Sequence, residues 1–187
     1  MHLASTSPRR REILQTLGIE FDVIRVETDE RPLDGESPNE MVLRLAIAKA
    51  EAASYGEFVL GADTVVVLGE RVLGKPRDAD DAIEMLLALS GRSHSVMTGV
   101  ALKTPHETRS VLSITDVQFR EIGQDEAYRY WQSGEPCDKA GAYGIQGIGG
   151  MFVKAIHGSY SGVMGLPVFE TVVLLESAGI NVLADHK

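Results

Sequence analysis

A chain of 187 residues, 44% hydrophobic and 24% charged, has the composition of one soluble globular domain spanning 1–187, with room for a full core. Its net charge of −9 repels phosphate backbones and acidic lipids, so neither nucleic acid nor a membrane is expected as a partner. The lone Cys137 excludes an internal disulfide and a cysteine zinc site, and no apolar stretch reaches spanning length or resembles a secretory segment, so a cytoplasmic setting is expected.

Taken in order, strand-like and helix-like segments alternate without repeats or low-complexity linkers. Residues 1–4 are a short extended start. Ser5-Thr6-Ser7-Pro8-Arg9-Arg10-Arg11 then opens a helix, with Ser7 at the N-cap and Pro8 at the first helical position. Ile13, Leu14 and Leu17 form its apolar face and Gly18 stops it. Arg9, Arg10 and Arg11 oppose the helix dipole there, so they need an anion nearby or full solvation. A Ser/Thr loop leading into an arginine-bearing helix start is a phosphate cradle on the first reading and a solvated basic turn on the second.

Residues 21–26 read as a second strand, followed by Glu27-Thr28-Asp29-Glu30, either a polar loop or the source of Glu30 as a ligand for a hard cation such as Mg²⁺. Ser37-Pro38-Asn39-Glu40 is a capping box opening a helix expected to run to about residue 54. Val42, Leu45, Lys49 and Ala52 share one face of it, so Lys49 interrupts an apolar stripe. Such a lysine either snorkels to solvent or points its ammonium at phosphate oxygens.

The run 58–68 is almost continuously apolar and β-branched, which fits a strand buried on both faces. Asp63 sits in its middle, where an uncompensated carboxylate would cost on the order of several kcal/mol. Either Gly61-Ala62 breaks the strand and Asp63 ties down a turn, or Asp63 is a functional acid. Gly69-Glu70-Arg71-Val72-Leu73-Gly74-Lys75-Pro76 approaches a Walker A loop, but Pro76 replaces the required Ser/Thr and offers no N–H. That excludes a P-loop NTPase and leaves Lys75 as a phosphate contact.

Asp78 caps a third helix bearing Ala82, Met85, Leu86 and Leu89 and closed by Gly91. Residues 95–102 and 109–119 read as an antiparallel hairpin around Thr104-Pro105-His106, making the sheet mixed. His94 and His106 are expected at the surface or in the hairpin, with no partner at metal-ligand spacing. A helix over 124–133 carries Tyr128, Tyr130 and Trp131 as packing residues. From Asp138 to Pro167 the glycine density implies positive φ or close backbone approach, without the spacing of a dinucleotide fingerprint. Gln146 stands among these glycines with an amide that both donates and accepts, as reading a base edge requires. Pro167 starts a last helix with Val168, Phe169, Val172, Val173 and Leu175, ended by Gly179 and expected to pack across the sheet.

Several of these motifs, in this order, resemble the Maf family of nucleoside triphosphate pyrophosphatases. They are Ser5-Thr6-Ser7-Pro8-Arg9-Arg10, Gly61-Ala62-Asp63-Thr64-Val65, Gly74-Lys75-Pro76, Leu89-Ser90-Gly91-Arg92 and Asp138-Lys139-Ala140-Gly141-Ala142-Tyr143-Gly144-Ile145-Gln146-Gly147. Gly158-Ser159-Tyr160 and Met164-Gly165-Leu166-Pro167 extend the match over essentially the whole chain. The segment around Lys139 and Gln146 resembles the subgroup acting on dTTP and UTP. Thr28 departs from the pattern, standing where the family often has an apolar residue before its acids.

The resemblance implies an α/β fold, with an elongated mixed sheet flanked by helices and two lobes around a central cleft, in a homodimer. It implies hydrolysis between the α and β phosphates of a nucleoside triphosphate with Mg²⁺ or Mn²⁺. Asp63 matches the proton acceptor, and Glu30, with Asp63, the metal site. Arg9, Lys49 and Lys75 match phosphate-contacting cations, Ser7 belongs to the matching substrate loop, and Arg9, Thr64 and Gln146 match positions linked to base choice. A non-catalytic nucleotide sensor is the alternative, since the family is also associated with inhibiting septum formation. Retained acids favour catalysis, because carboxylates beside a triphosphate serve no pure binder without a metal. A nucleic-acid module built on Arg9-Arg10-Arg11 is opposed by the acidic balance.

Overall fold

Among the described residues seven strands join in one sheet: β1 His2–Leu3, β2 Asp22–Val23, β3 Val59–Leu68, β4 Arg71–Leu73, β5 Ser93–Lys103, β6 Thr108–Phe119 and β7 Val153–His157. The structure, a computed structural model, describes residues 1–53 and 58–183. Strand order is β2-β1-β3-β5-β6-β7, with β4 paired to β3. β1 runs parallel to β2 and β3, whereas β4 is antiparallel to β3 and β7 to β6, so the sheet is mixed. Among the described residues six helices complete an α/β fold: α1 Pro8–Thr16, α2 Pro38–Glu51, α3 Ala79–Leu89, α4 Gln124–Gln132, α5 Tyr160–Met164 and α6 Val168–Ser177. No helix among the described residues is long and apolar enough to cross a membrane.

The chain divides into two compact units. The first comprises Met1–Asp63, Thr98–Ser113 and Gly165–Lys187. Its α2 begins with a complete capping box, in which the Glu40 N–H donates to Ser37 Oγ and the Ser37 N–H donates to the Glu40 carboxylate. The helix stops at Glu51, and the end expected near residue 54 lies outside the described residues. Val42, Leu45, Ala46 and Ala50 are its buried face. Two glycines let the α2 backbone lie directly on the sheet. A Cβ on Gly61 would come within 2.3 Å of the Ala46 carbonyl oxygen, and one on Gly99 within 2.4 Å of the Val42 carbonyl oxygen.

Two expectations in this unit narrow. The second strand keeps only Asp22–Val23, both exposed, while Ile24 and Val26 beyond it pack against Ala4 and Val59. The face of α6 is Thr171, Leu174 and Leu175, while Phe169 and Val173 are exposed. Glu170 ties the helix to β6 by accepting from Ser113 Oγ at 2.7 Å. The β5–β6 connection turns where the Thr104 N–H donates to the Glu107 carbonyl at 2.8 Å, too short a link for anything but antiparallel strands.

The second unit comprises Thr64–Met97 and Ile114–Met164. Val66, Leu86, Leu89, Phe119, Tyr130, Tyr143 and Phe152 belong to its core. Asp78 Oδ1 caps α3 by accepting from the Asp81 N–H at 2.9 Å. His94 is not at the surface: it is 3% exposed, with Nε2 2.9 Å from the Tyr143 hydroxyl and its ring edge-on to Phe119. The cause is strand alternation, which turns His94 inward together with Val96 two residues on. His106 does lie exposed in the hairpin turn. After α4 the chain runs through three 3₁₀ turns, Glu135–Asp138, Ala140–Ala142 and Ile148–Phe152, before β7 and α5. Neither β7 nor α5 emerged from the glycine-rich sequence.

Candidate active site

Strand β3 runs unbroken through Gly61 and Ala62, so Asp63 is a strand residue and not a turn residue. It is 8% exposed. Its Oδ1 accepts from Lys49 Nζ at 2.7 Å, and the same ammonium lies 2.6 Å from Glu30 Oε1. Lys49 therefore does not snorkel to solvent; its side chain is 12% exposed and bridges two carboxylates. The close seating of α2 explains this, since Ala46 and Ala50 flank Gly61 and bring Lys49 over β3. Asp63 is the enclosed end of the trio and Glu30, 60% exposed, the open end. Desolvation roughly cancels attraction in an enclosed ion pair, so stability alone does not account for placing one here.

Of the two neighbouring acids, Glu30 is the one directed to Lys49. The Asp29 carboxylate is occupied by the Arg31 guanidinium at 2.6 Å, whose hydrogen bonds hold it down at about 2. The segment is tied back to α2 by Arg44, which donates to the Arg31 carbonyl at 3.2 Å and to Glu36 at 2.7 Å.

At the start of α1 the cations do lie near anions. Arg10 Nε donates to the Gly165 carbonyl at 2.8 Å and Nη1 to Ser5 Oγ at 3.1 Å. Burial lowers its pKa, while the charges of Asp63 and Glu30 act to raise it. Arg9 is half-buried beside it. Ser7 occupies the N-cap with extended backbone but makes no side-chain cap, and its N–H donates to Ser5 Oγ at 3.3 Å. The sequence places Arg10 with Arg9 and Arg11 in a candidate phosphate cradle but gives it no role of its own. Helical spacing contains the signal, because Arg10 heads the stripe Ile13, Leu14 and Leu17.

The other expected residues belong to the second unit. Thr64 follows Asp63 in β3 and is half-buried. Lys75 is exposed just past β4, in a turn whose Gly74 carbonyl accepts from the Gly141 N–H at 3.0 Å. That bond joins the Lys75 turn to the segment carrying Gln146. Gly141 has φ +68°, and a Cβ there would meet Val66 at 3.0 Å, so both conformation and space demand glycine. Gln146 is exposed on the 144–149 loop.

No group of three or more His, Cys, Asp or Glu side chains able to hold a metal occurs among the described residues. What the first unit offers is two carboxylates converging on one cation, Asp63 and Glu30. A pair of hard oxygen donors fits an ion such as Mg²⁺, which keeps waters and takes substrate phosphate oxygens to complete its shell, and does not fit a closed protein cage.

In an α/β fold, two acids share one ammonium near an arginine-bearing helix start. The chain belongs to the Maf family: the model described as Maf-like protein matches residues 1–178. It is 54% identical to the dTTP/UTP pyrophosphatase of Anaeromyxobacter dehalogenans over 95% of this chain and 93% of that protein. It is 50% identical to the dTTP/UTP pyrophosphatase of Saccharophagus degradans, covering 97% and 90% of the two chains. The protein of the same name from Vibrio cholerae is also 50% identical, with 92% and 95% covered.

Proposed function

We propose that this protein hydrolyses dTTP and UTP to the nucleoside monophosphate and pyrophosphate. The observation that carries the reading is the Lys49 ammonium held between the enclosed Asp63 and the open Glu30. In this reading Asp63 accepts a proton from a water molecule, whose oxygen attacks the α-phosphorus. The bond from the α-phosphorus to the α–β bridging oxygen breaks, and pyrophosphate departs with that oxygen. Lys49 fixes the Asp63 carboxylate through Oδ1, which assigns the proton to Oδ2. Arg9, Lys49 and Lys75 compensate the charge of the phosphate oxygens, with Ser7 in the loop that receives them. Thr64, Arg9 and Gln146 select the base.

Glu30 and Asp63 would hold the divalent cation, Mg²⁺ or Mn²⁺, and its chemistry there is to offset negative charge on the triphosphate. The family resemblance also carries a cytoplasmic homodimer that clears dTTP, UTP and base-modified pyrimidine nucleotides, with septum-formation inhibition as a cellular consequence. The test is phosphate release from dTTP with added inorganic pyrophosphatase, with and without Mg²⁺, on wild type and Asp63→Asn. Turnover that requires the cation and falls roughly 10²–10⁴-fold in the variant is expected. Tight dTTP binding without turnover would instead favour the nucleotide sensor, and unchanged turnover in Asp63→Asn would remove Asp63 from the chemistry.

A further inference from the structure

The glycines at 144, 147 and 149 are not there for positive φ; they make room for the side chain of Glu135 and its neighbours. A Cβ on Gly147 would lie 2.2 Å from Glu135 Oε2, one on Gly149 2.4 Å from the Tyr130 hydroxyl, and one on Gly144 2.7 Å from Lys139 Cε. The half-buried Glu135 carboxylate accepts from the Ile148 N–H at 2.8 Å, the Gly149 N–H at 2.9 Å and the Tyr130 hydroxyl at 2.7 Å. Tyr130 in turn accepts from the Gly144 N–H at 3.1 Å. One carboxylate thus holds one end of the 144–149 loop directly and the other through a single tyrosine. Lys139 closes the arrangement by donating to the Glu135 carbonyl at 2.7 Å.

We propose that Glu135 is a positioning residue for base selection, clamping both ends of the loop that presents Gln146. The inference rests on the reading that Gln146 meets the base. A recognition amide discriminates only if its donor and acceptor are held where a pyrimidine edge will be, and the loop's own backbone bonds, Gly147 N–H to the Gly144 carbonyl at 3.2 Å and Gly150 N–H to the Gly147 carbonyl at 3.1 Å, do not anchor it to the rest of the unit. The ionised form is the one the clamp uses. Burial alone would raise the Glu135 carboxyl, but the Gly149 N–H, the Tyr130 hydroxyl and the Ile148 N–H together keep it below the ordinary range. Glutamine cannot replace it, because an amide has one acceptor oxygen and would set its NH₂ against one of the two backbone N–H donors.

The experiment measures kcat and KM for UTP and GTP on wild type, Glu135→Gln, Tyr130→Phe and Gln146→Ala, with thermal unfolding of each. Glu135→Gln is expected to lower the UTP-over-GTP ratio of kcat/KM by roughly tenfold, chiefly through KM for UTP. Tyr130→Phe, which breaks only the relay to Gly144, is expected to shift the ratio the same way by less. If Gln146→Ala flattens the ratio and Glu135→Gln does not, the clamp is overturned while base reading by Gln146 stands. If Gln146→Ala leaves the ratio intact, the underlying reading of Gln146 fails. A loss in Glu135→Gln equal for both nucleotides, accompanied by a lower unfolding temperature, makes Glu135 structural only and overturns the proposal. Should Glu135→Gln fail to fold, Tyr130→Phe decides by the same criterion.

Discussion

Gly61 lies so close to Ala46 that the smallest side chain would come within 2.3 Å of the Ala46 carbonyl oxygen. Helix α2 is seated on β3 at backbone contact, and this seating lets Lys49 reach Asp63 at 2.7 Å. Gly61→Ala must push the helix away, since the opposing atoms are backbone and cannot rotate aside. The expected cost is about 1–3 kcal/mol of stability, the range for overpacking. Turnover should fall further than stability predicts, because the ammonium is lifted from the carboxylate. Denaturant unfolding together with kcat on dTTP checks both parts; normal turnover in a destabilised variant would separate seating from chemistry.

Lys49→Met keeps the length of the side chain and removes its charge, leaving Asp63 and Glu30 facing each other without a shared cation. Turnover of dTTP is expected to fall by about 10²-fold or more, comparable to losing one preorganised donor. Lys49→Arg, whose guanidinium is bulkier and planar, should recover only part of it in a space filled to 12% exposure. Full activity in Lys49→Met would reduce the bridge to a packing feature.

His94 makes an acid-side stability prediction. Burial, only partly opposed by Asp116, lowers its pKa from 6.5 to about 4. The folded state therefore holds it neutral where the unfolded state binds a proton. Its contribution is fully present above pH 6.5 and is lost as pH falls from 6.5 toward 4, up to about 3 kcal/mol. Unfolding free energies of wild type and His94→Gln should converge as pH drops through that window. Parallel pH curves would show that His94 does not titrate on unfolding.

Gly147→Ala offers a coupling test within the second unit. The added methyl would meet Glu135 Oε2 at 2.2 Å, so Glu135 must leave its backbone partners. In Glu135→Ala the obstacle is gone, and the same Gly147→Ala change should cost little more. A double-mutant cycle on unfolding free energy is expected to give a coupling of about 1 kcal/mol or more. Additive effects would mean that the crowding relaxes elsewhere.

Much of this architecture is legible in single residues. The Ser37–Glu40 capping box, the Asp78 cap and the unbroken apolar run around Asp63 each state their own structure. Lys49 was legible as an anomaly, an ammonium in an apolar stripe, though its partners were not, because they lie on other elements. What escaped between α4 and β7 has one cause. Residues 135–157 carry so many glycines that neither a period of two nor one of 3.6 shows, and this hid three 3₁₀ turns and β7. His94 was misplaced by residue type, although its alternation with Val96 on β5 marks it as inward. Residue type does not tell Arg10 from Arg9 and Arg11, although its helical position points it along the line of Leu14.

The strand order also bears on how two copies of this chain can meet. The long strands β3, β5 and β6, of 10, 11 and 12 residues, all have neighbours on both sides in the sheet order. The outermost positions go to β2, of two residues, and β7, of five. β7, however, pairs only with Asp116–Phe119, so the outer side of β6 before Asp116 has no β7 partner. Among the described strands, sheet extension by a second copy is therefore limited to the short outer strands and the uncovered part of β6, and elsewhere any pairing of copies runs through side chains, where geometry and not backbone hydrogen bonding decides the fit.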